Sequence, residues 1–173
     1  QPGSMAPSDA RAYANLAGAG PGRTLLDPMC GTGGLPIEAA LAGSDGIACD
    51  AQSKMVRGTQ QNLESCVPSR SPQWHVFRGD ATALPINSDA LDGVVFDAPY
   101  GRQSKIARHD LTTLISRALT EAHRIAPRAV IIADRDWQGA ARRAGWQVAA
   151  SFKRRVHRSL TRHVLVLERR TPV

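Results

Sequence analysis

Cysteine and lysine are both scarce in this 173-residue sequence, with three cysteines in all. Cys30, Cys49 and Cys66 are odd in number and show no Cys-x-x-Cys spacing. That excludes a disulfide framework and speaks against a structural zinc site, so no metal is expected. A reducing, cytoplasmic setting is the corresponding expectation. No apolar run approaches the roughly 18 residues needed to cross a bilayer, which excludes a membrane-spanning role. The opening QPGSMAPSDARAY lacks the apolar stretch of a secretion signal, and a first residue of Gln in place of Met suggests that something precedes it. There is no internal repeat, low-complexity tract or linker. One domain with a true core is expected from this length.

The lysine scarcity has a different meaning. Lys54, Lys105 and Lys153 are the only lysines among 22 Lys plus Arg, which outweigh 15 Asp plus Glu to give a net charge of +7. Arginine carries nearly all of the excess, and its planar fork suits phosphates and base stacking. Such a surface fits a polyanionic partner. An arginine-rich proteome would leave the same balance.

Strand-like and helix-like segments alternate along the chain. Helices are expected over 7–18, 34–43, 51–65, 109–125 and 137–145. Strands are expected over 23–27, 46–50, 73–79, 91–97 and 128–134. Leu111, Leu114, Ile115, Ala118, Leu119 and Ala122 recur at helical spacing. The alternation predicts an α/β fold: a Rossmann-like, doubly wound, mostly parallel seven-stranded sheet with helices on both faces. Two final strands, 146–155 and 162–169, joined by HRSLT, break the alternation and predict an antiparallel C-terminal hairpin at one edge.

Three acids close strands in this pattern. LLDPMCGTGG (25–34) sets Gly31, Gly33 and Gly34 between a strand and a helix, where the backbone can approach a ligand closely. The spacing is not the dinucleotide G-x-G-x-x-G. Asp27 beside the turn would repel a pyrophosphate but welcome a cation, which favours S-adenosylmethionine (SAM), with its ammonium and sulfonium, over a dinucleotide. A tight turn with no ligand is the plainer alternative. Asp50 closes the second strand about 20 residues on, where doubly wound folds grip a ribose diol. It is equally placed to cap the helix that follows. Asp80, after the third strand, is a candidate acceptor for the adenine amine with the Ala81 N–H beside it, or simply a turn residue. Cys30 completes the glycine turn as a small filler on the cofactor side.

VVFDAPYG (94–101) ends a buried strand on Asp97 and drops into a proline turn. Pro99 fixes its own φ and biases Ala98 away from the helical region. Asp97 is therefore held on a rigid corner, at the strand end where open α/β sheets bind ligands. A turn acid bonding its own backbone is the alternative.

DPMCGTGG, an acid closing the second strand, GDAT and DAPYG, in this order, resemble the class I SAM-dependent methyltransferases. DAPYG is close to the D/N-P-P-Y motif of the branch that methylates exocyclic amines of bases. QPGSMAPSDARAYANLAG, DPMCGTGG-xx-IEA, MVRGTQQNL, DAPYGRQS and HRSLTRHVLVL further resemble the archaeal and eukaryotic tRNA guanine-N2 methyltransferases that modify position 10. The resemblance runs nearly end to end. It implies SAM as cofactor, tRNA as partner, a catalytic set of Asp97, Ala98, Pro99 and Tyr100, and Asp97 also against the cofactor. It leaves room for a small activating subunit, with the chain itself a monomer. Two departures stand out: Ala98-Pro99 replaces a double proline, and nothing here resembles the family's N-terminal THUMP-type RNA-binding region. An excised catalytic domain is the expectation.

On this reading Asp97 and the Ala98 carbonyl accept the two N–H bonds of a guanine N2 amine, and Tyr100 stacks on the extruded base. An N6-adenine or ribosomal guanine-N2 substrate would use the same corner. A SAM- or RNA-binding subunit with a decayed site is the non-enzymatic alternative. Arg102, Lys105 and Arg108 follow the corner, and Arg154, Arg155 and Arg158 lie on the terminal hairpin. Both clusters are candidate phosphate contacts or plain solvated loop charge. His157 and Ser159 match the family pattern without an assigned role. Asp134 and Asp136 are expected to cap a helix.

Overall fold

The computed structural model describes residues 5–68, 72–100 and 108–170, with the backbone alone described at 108–110. The elements run α1 (Pro7–Leu16), β1 (Thr24–Asp27), α2 (Gly34–Leu41), β2 (Asp45–Asp50), α3 (Ser53–Cys66), β3 (Trp74–Arg78) and β4 (Gly93–Asp97). They continue with α4 (Arg108–Ile125), β5 (Arg128–Ala133), α5 (Gln138–Arg143), β6 (Trp146–His157) and β7 (Leu160–Arg169). The seven strands form one sheet in the order β3-β2-β1-β4-β5-β7-β6. Pairing is parallel from β3 through β5 and antiparallel at β5-β7 and β7-β6. This is the expected doubly wound fold with its antiparallel hairpin.

Period-two alternation builds the core on both faces of the sheet. Leu25, Val95, Val130, Ile132, Val164 and Val166 face Ala10, Tyr13 and Ala14 of α1 and Leu35 and Ala39 of α2. Leu26, Val94, Phe96, Ile131, Leu165 and Leu167 face Leu111, Ile115 and Leu119 of α4 and Ala140 and Ala141 of α5. Trp146 closes the second cluster, donating its indole N–H to the Leu119 carbonyl at 2.9 Å.

The structure moves several ends. The first helix stops at Leu16, not 18, because Gly18 takes φ 99° just beyond it. Helix α3 begins at Ser53, not 51: Asp50 Oδ1 accepts the Gln52 N–H at 2.9 Å and turns the chain before the helix starts. Gln52 is the N-cap, so Asp50 is not the cap itself. The last two strands reach further, to His157 and from Leu160, leaving a two-residue tip in place of HRSLT. His157 has a role there: its Nδ1 lies 3.2 Å from the Ser159 hydroxyl and accepts the Ser159 N–H at 3.4 Å.

What positions the site is the strand order. The chain leaves β1 toward β2 on one side and returns to β4 on the other, so a crevice opens at the carboxyl ends of these central strands. Asp50, Asp27 and Asp97 are the last residues of β2, β1 and β4, and Asp80 follows β3. Four carboxylates stand along one rim.

Candidate active site

A cavity of about 310 Å³ lies at that rim. Its described lining includes Gly31, Asp50, Asp80, Asp97 and Pro99, with Met29, Met55, Ala81 and Leu114 as apolar wall. Among the described lining residues there are three acids and no basic side chain. That set suits a ligand with hydroxyls, an amine and positive charge, and repels a phosphate chain.

The glycine turn is held from behind by α3. Thr59 donates its hydroxyl to the Gly31 carbonyl at 2.9 Å, and Asn62 donates to the Thr32 carbonyl at 2.8 Å. Gly31 has φ 54° and Gly33 φ 89°, and a β-carbon on Gly33 would press on Thr59 at 3.0 Å. Asp50 Oδ2 accepts the Gly31 N–H at 3.1 Å, so this one carboxylate ties the turn to β2. Cys30 is buried against Thr59, with Sγ 3.4 Å from its hydroxyl, and burial pushes its thiol pKa up. Neither Cys30 nor Gly33 is among the described lining residues; both lie in the turn behind the wall.

Asp27 is only 1% exposed and is not among the described lining residues, whereas Pro28 and Met29 are. Its Oδ1 accepts the Met29 N–H at 3.0 Å. Burial raises its pKa well above the ordinary carboxylate value; the Met29 amide opposes this, while Asp50 and Asp97 add to the rise. Asp80 accepts both the amide and the hydroxyl of Thr82 at 2.8 Å, and these bonds hold its pKa down. The loop beyond it is clamped by α4. Glu121 accepts the Leu84 N–H at 2.8 Å, while Arg124 donates to the carbonyls of Ile86 and Leu84 and pairs with Glu121.

Asp97 closes β4 with 27% of its side chain exposed. The next residue is pinned, because the Ala98 N–H donates to the Ile132 carbonyl at 2.8 Å. Burial raises the Asp97 pKa to about 6. The Tyr100 hydroxyl, donating to Oδ1 at 2.7 Å, and the charge of Arg162 hold it down against that rise, and Asp134 adds to it. Asp134 is itself bonded by Arg135 at 2.8 Å, and Asp136 accepts the Gln138 N–H at the entry to α5.

Thr59, Asn62 and Arg162 escaped the sequence reading as site-building residues. Thr59 and Asn62 sit three apart on one helix face inside MVRGTQQNL, a stretch noted only for its resemblance. Arg154, Arg155 and Arg158 are exposed on the hairpin, Arg154 in a 3.4 Å ion pair with Asp9. Arg102 and Lys105, and the side chain of Arg108, lie outside the described residues. No group of three or more metal-ligating side chains occurs among the described residues, and no described helix is long and apolar enough to cross a membrane.

One prediction concerns Asp50 alone. On the expectation that this cavity holds SAM, Asp50→Ala should weaken its binding by roughly 1.5–3 kcal/mol, the range for a hydrogen bond to a charged group. Asp50→Asn, which keeps an acceptor toward Gly31 and Gln52, should lose less. Calorimetric titration showing unchanged affinity in Asp50→Ala would reduce Asp50 to a tie for the turn.

Residues 1–163 match the UPF0020 family, described as RMKL-like, methyltransferase domain. The tRNA (guanine(10)-N2)-dimethyltransferase of Methanothermobacter thermautotrophicus is 35% identical over 97% of this chain and 50% of its own length. The protein of the same name from Pyrococcus abyssi is 34% identical over 98% of this chain and 51% of its own. This chain therefore spans about half the length of these curated relatives. Among solved structures, TrmN from Thermus thermophilus superposes with a TM-score of 0.79 at 26% identity, over 97% of this chain and 50% of that one.

Proposed function

The chain belongs to the RMKL-like methyltransferase domain family, and on that footing we propose that it transfers a methyl group from SAM to the N2 amine of a guanosine in tRNA, at position 10. The observation that carries this reading is Asp97, a carboxylate fixed at the end of β4 on the wall of an acid-lined cavity. Asp50 would hold the ribose diol and Asp80 with Ala81 the adenine edge, while the glycine turn would let the backbone approach the amino-acid end, with Asp27 buried next to it. Bound SAM supplies an electrophilic methyl on a sulfonium that leaves as a neutral thioether.

The protein's own task is positioning. A guanine N2 lone pair is delocalised into the ring, so the amine must be drawn toward tetrahedral geometry before it can attack. Asp97 accepts one N–H and the Ala98 carbonyl the other, which aims the lone pair across the cavity. As the N–C bond forms, the nitrogen gives up one proton, and the Asp97 carboxylate takes it. Tyr100 offers its ring to the extruded base. No covalent nucleophile from the protein is called for.

The test is direct. Incubation with SAM and unmodified tRNA, followed by nucleoside analysis, should yield N2-methylguanosine or its dimethyl form. N6-methyladenosine as the product, or SAM binding with no transfer to any RNA, would overturn the reading. RNA contact is assigned to the basic hairpin and to Arg102, Lys105 and Arg108. Replacing Arg154, Arg155 and Arg158 together with Ala should weaken binding to all RNAs alike and flatten the log–log salt dependence. Every arginine–phosphate pair that disappears should reduce the steepness of that dependence by about 0.7–0.9. An unchanged slope would place the phosphate-binding side chains elsewhere.

A further inference from the structure

Strand β7 carries an arginine where its pattern calls for an apolar residue. Val164 and Val166 enter the cluster beneath α1, and Arg162 shares their face. Arg162 is 1% exposed and the bulkiest fully buried side chain among the described residues. A buried guanidinium is costly unless it meets acceptors. Its Nε donates to the Tyr100 hydroxyl at 3.0 Å, and that hydroxyl donates to Asp97 Oδ1 at 2.7 Å. Its Nη2 stands 4.0 Å from Asp97 Oδ2 and has no hydrogen-bond partner among the described residues. The relay has a direction: a hydroxyl that accepts from arginine is left to give its own proton to the carboxylate.

We propose that Arg162, acting through the Tyr100 hydroxyl, is a positioning residue that keeps the Asp97 carboxylate ionised and in one orientation for the amine it receives. This rests on the methyl-transfer reading above. Every element around Asp97 bears on its charge. Asp27 at the end of β1 and Asp134 after β5 are acids, Tyr13 of α1 contributes a buried hydroxyl, and Arg162 supplies the positive charge from β7. Burial and Asp134 thus favour the neutral form of Asp97, and the tyrosine with the arginine opposes them. With its pKa at about 6, Asp97 is ionised above that pH and protonated below it. A protonated Asp97 could not take the amine's proton and would accept its N–H only as a weaker, uncharged acceptor. Loss of Arg162 or of the hydroxyl should move this boundary upward, into the working range.

The experiment follows the Asp97 carboxyl by ¹³C NMR against pH, in the unsubstituted chain, Tyr100→Phe, Arg162→Met and Arg162→Lys. Tyr100→Phe keeps the ring and removes only the hydroxyl, so it reports even where Arg162→Met fails to fold. The Asp97 midpoint should rise by about one pH unit or more in Tyr100→Phe and Arg162→Met, the range for loss of an opposite charge or an ion-favouring bond. Arg162→Lys should return part of the shift. The acid limb of single-turnover methyl transfer should move with the midpoint, with roughly tenfold slower transfer per unit at pH below it and recovery at high pH. An Asp97 titration that stays in place in Tyr100→Phe overturns the proposal, as does one that moves while the acid limb does not. No transfer by the unsubstituted chain at any pH would overturn the methyl-transfer reading, and the carboxyl titration would still decide the part of Arg162.

Discussion

Asp97→Ala is expected to cut transfer to RNA by on the order of 10²–10⁴-fold while SAM affinity stays nearly unchanged. The magnitude is that of removing a positioned acceptor and proton-taking group. The separation of the two effects follows from the geometry. Asp50 ties the glycine turn and Asp80 its own loop, both without help from Asp97. Asp97 instead is bonded by Tyr100. Asp97→Asn is the sharper variant, because it keeps the shape beside the buried Arg162 and removes the charge. Calorimetry for the cofactor and rapid-quench single turnovers for the chemistry check both halves. A substituted chain that retains most of the normal single-turnover rate would end the assignment of Asp97.

The second large effect is on stability. Gly93 opens β4, and a β-carbon there would drive into the carbonyl oxygen of Ala17 and stand 2.9 Å from the Leu25 side chain. Backbone cannot swing aside as a side chain can. Gly93→Ala should therefore cost about 3 kcal/mol or more, at or beyond the upper end for overpacking. That corresponds to a fall in Tm of roughly 6–12 °C for a chain of this length. Gly58 gives the opposite outcome from the same chemical change. It lies inside α3, where an added methyl meets nothing within 4 Å. Gly58→Ala should stabilise the protein by about 0.5–1 kcal/mol through helix propensity alone. Urea titrations of both variants decide the matter, and equal stability of the two would refute the steric reading of Gly93.

The sheet was legible because its signals are local. Apolar alternation, helical spacing in 109–125 and glycine turns each declare themselves within a few residues. The acids at strand ends were legible for the same reason. Hidden from a local reading were the partners that arrive from far along the chain. Arg162 meets Tyr100 across 62 positions, and Leu84 meets Glu121 across 37. Periodicity cannot name such pairs. One clue was nonetheless present: in LTRHVLVL, strand alternation sets Arg162 in register with two valines, and an arginine on a buried face demands an acid or an acceptor. The depth of Asp27 was hidden in another way. Whether an acid at a strand end lines the cavity or is buried away from it depends on how Pro28 and Met29 fold after it, and no pattern records that.

The insertion of β7 between β5 and β6 has a consequence for how the molecule is made. During synthesis every residue of the acid-lined rim emerges before β6, and β6 has no neighbour in the sheet except β7. A lone strand is unstable in water, so the two strands must join and dock on β5 together. Until they do, the Tyr100 hydroxyl and Asp97 lack Arg162. On the proposed reading, the acid-lined crevice can take shape on the ribosome before Arg162 reaches Asp97, and the last pairing step is the one that completes that corner.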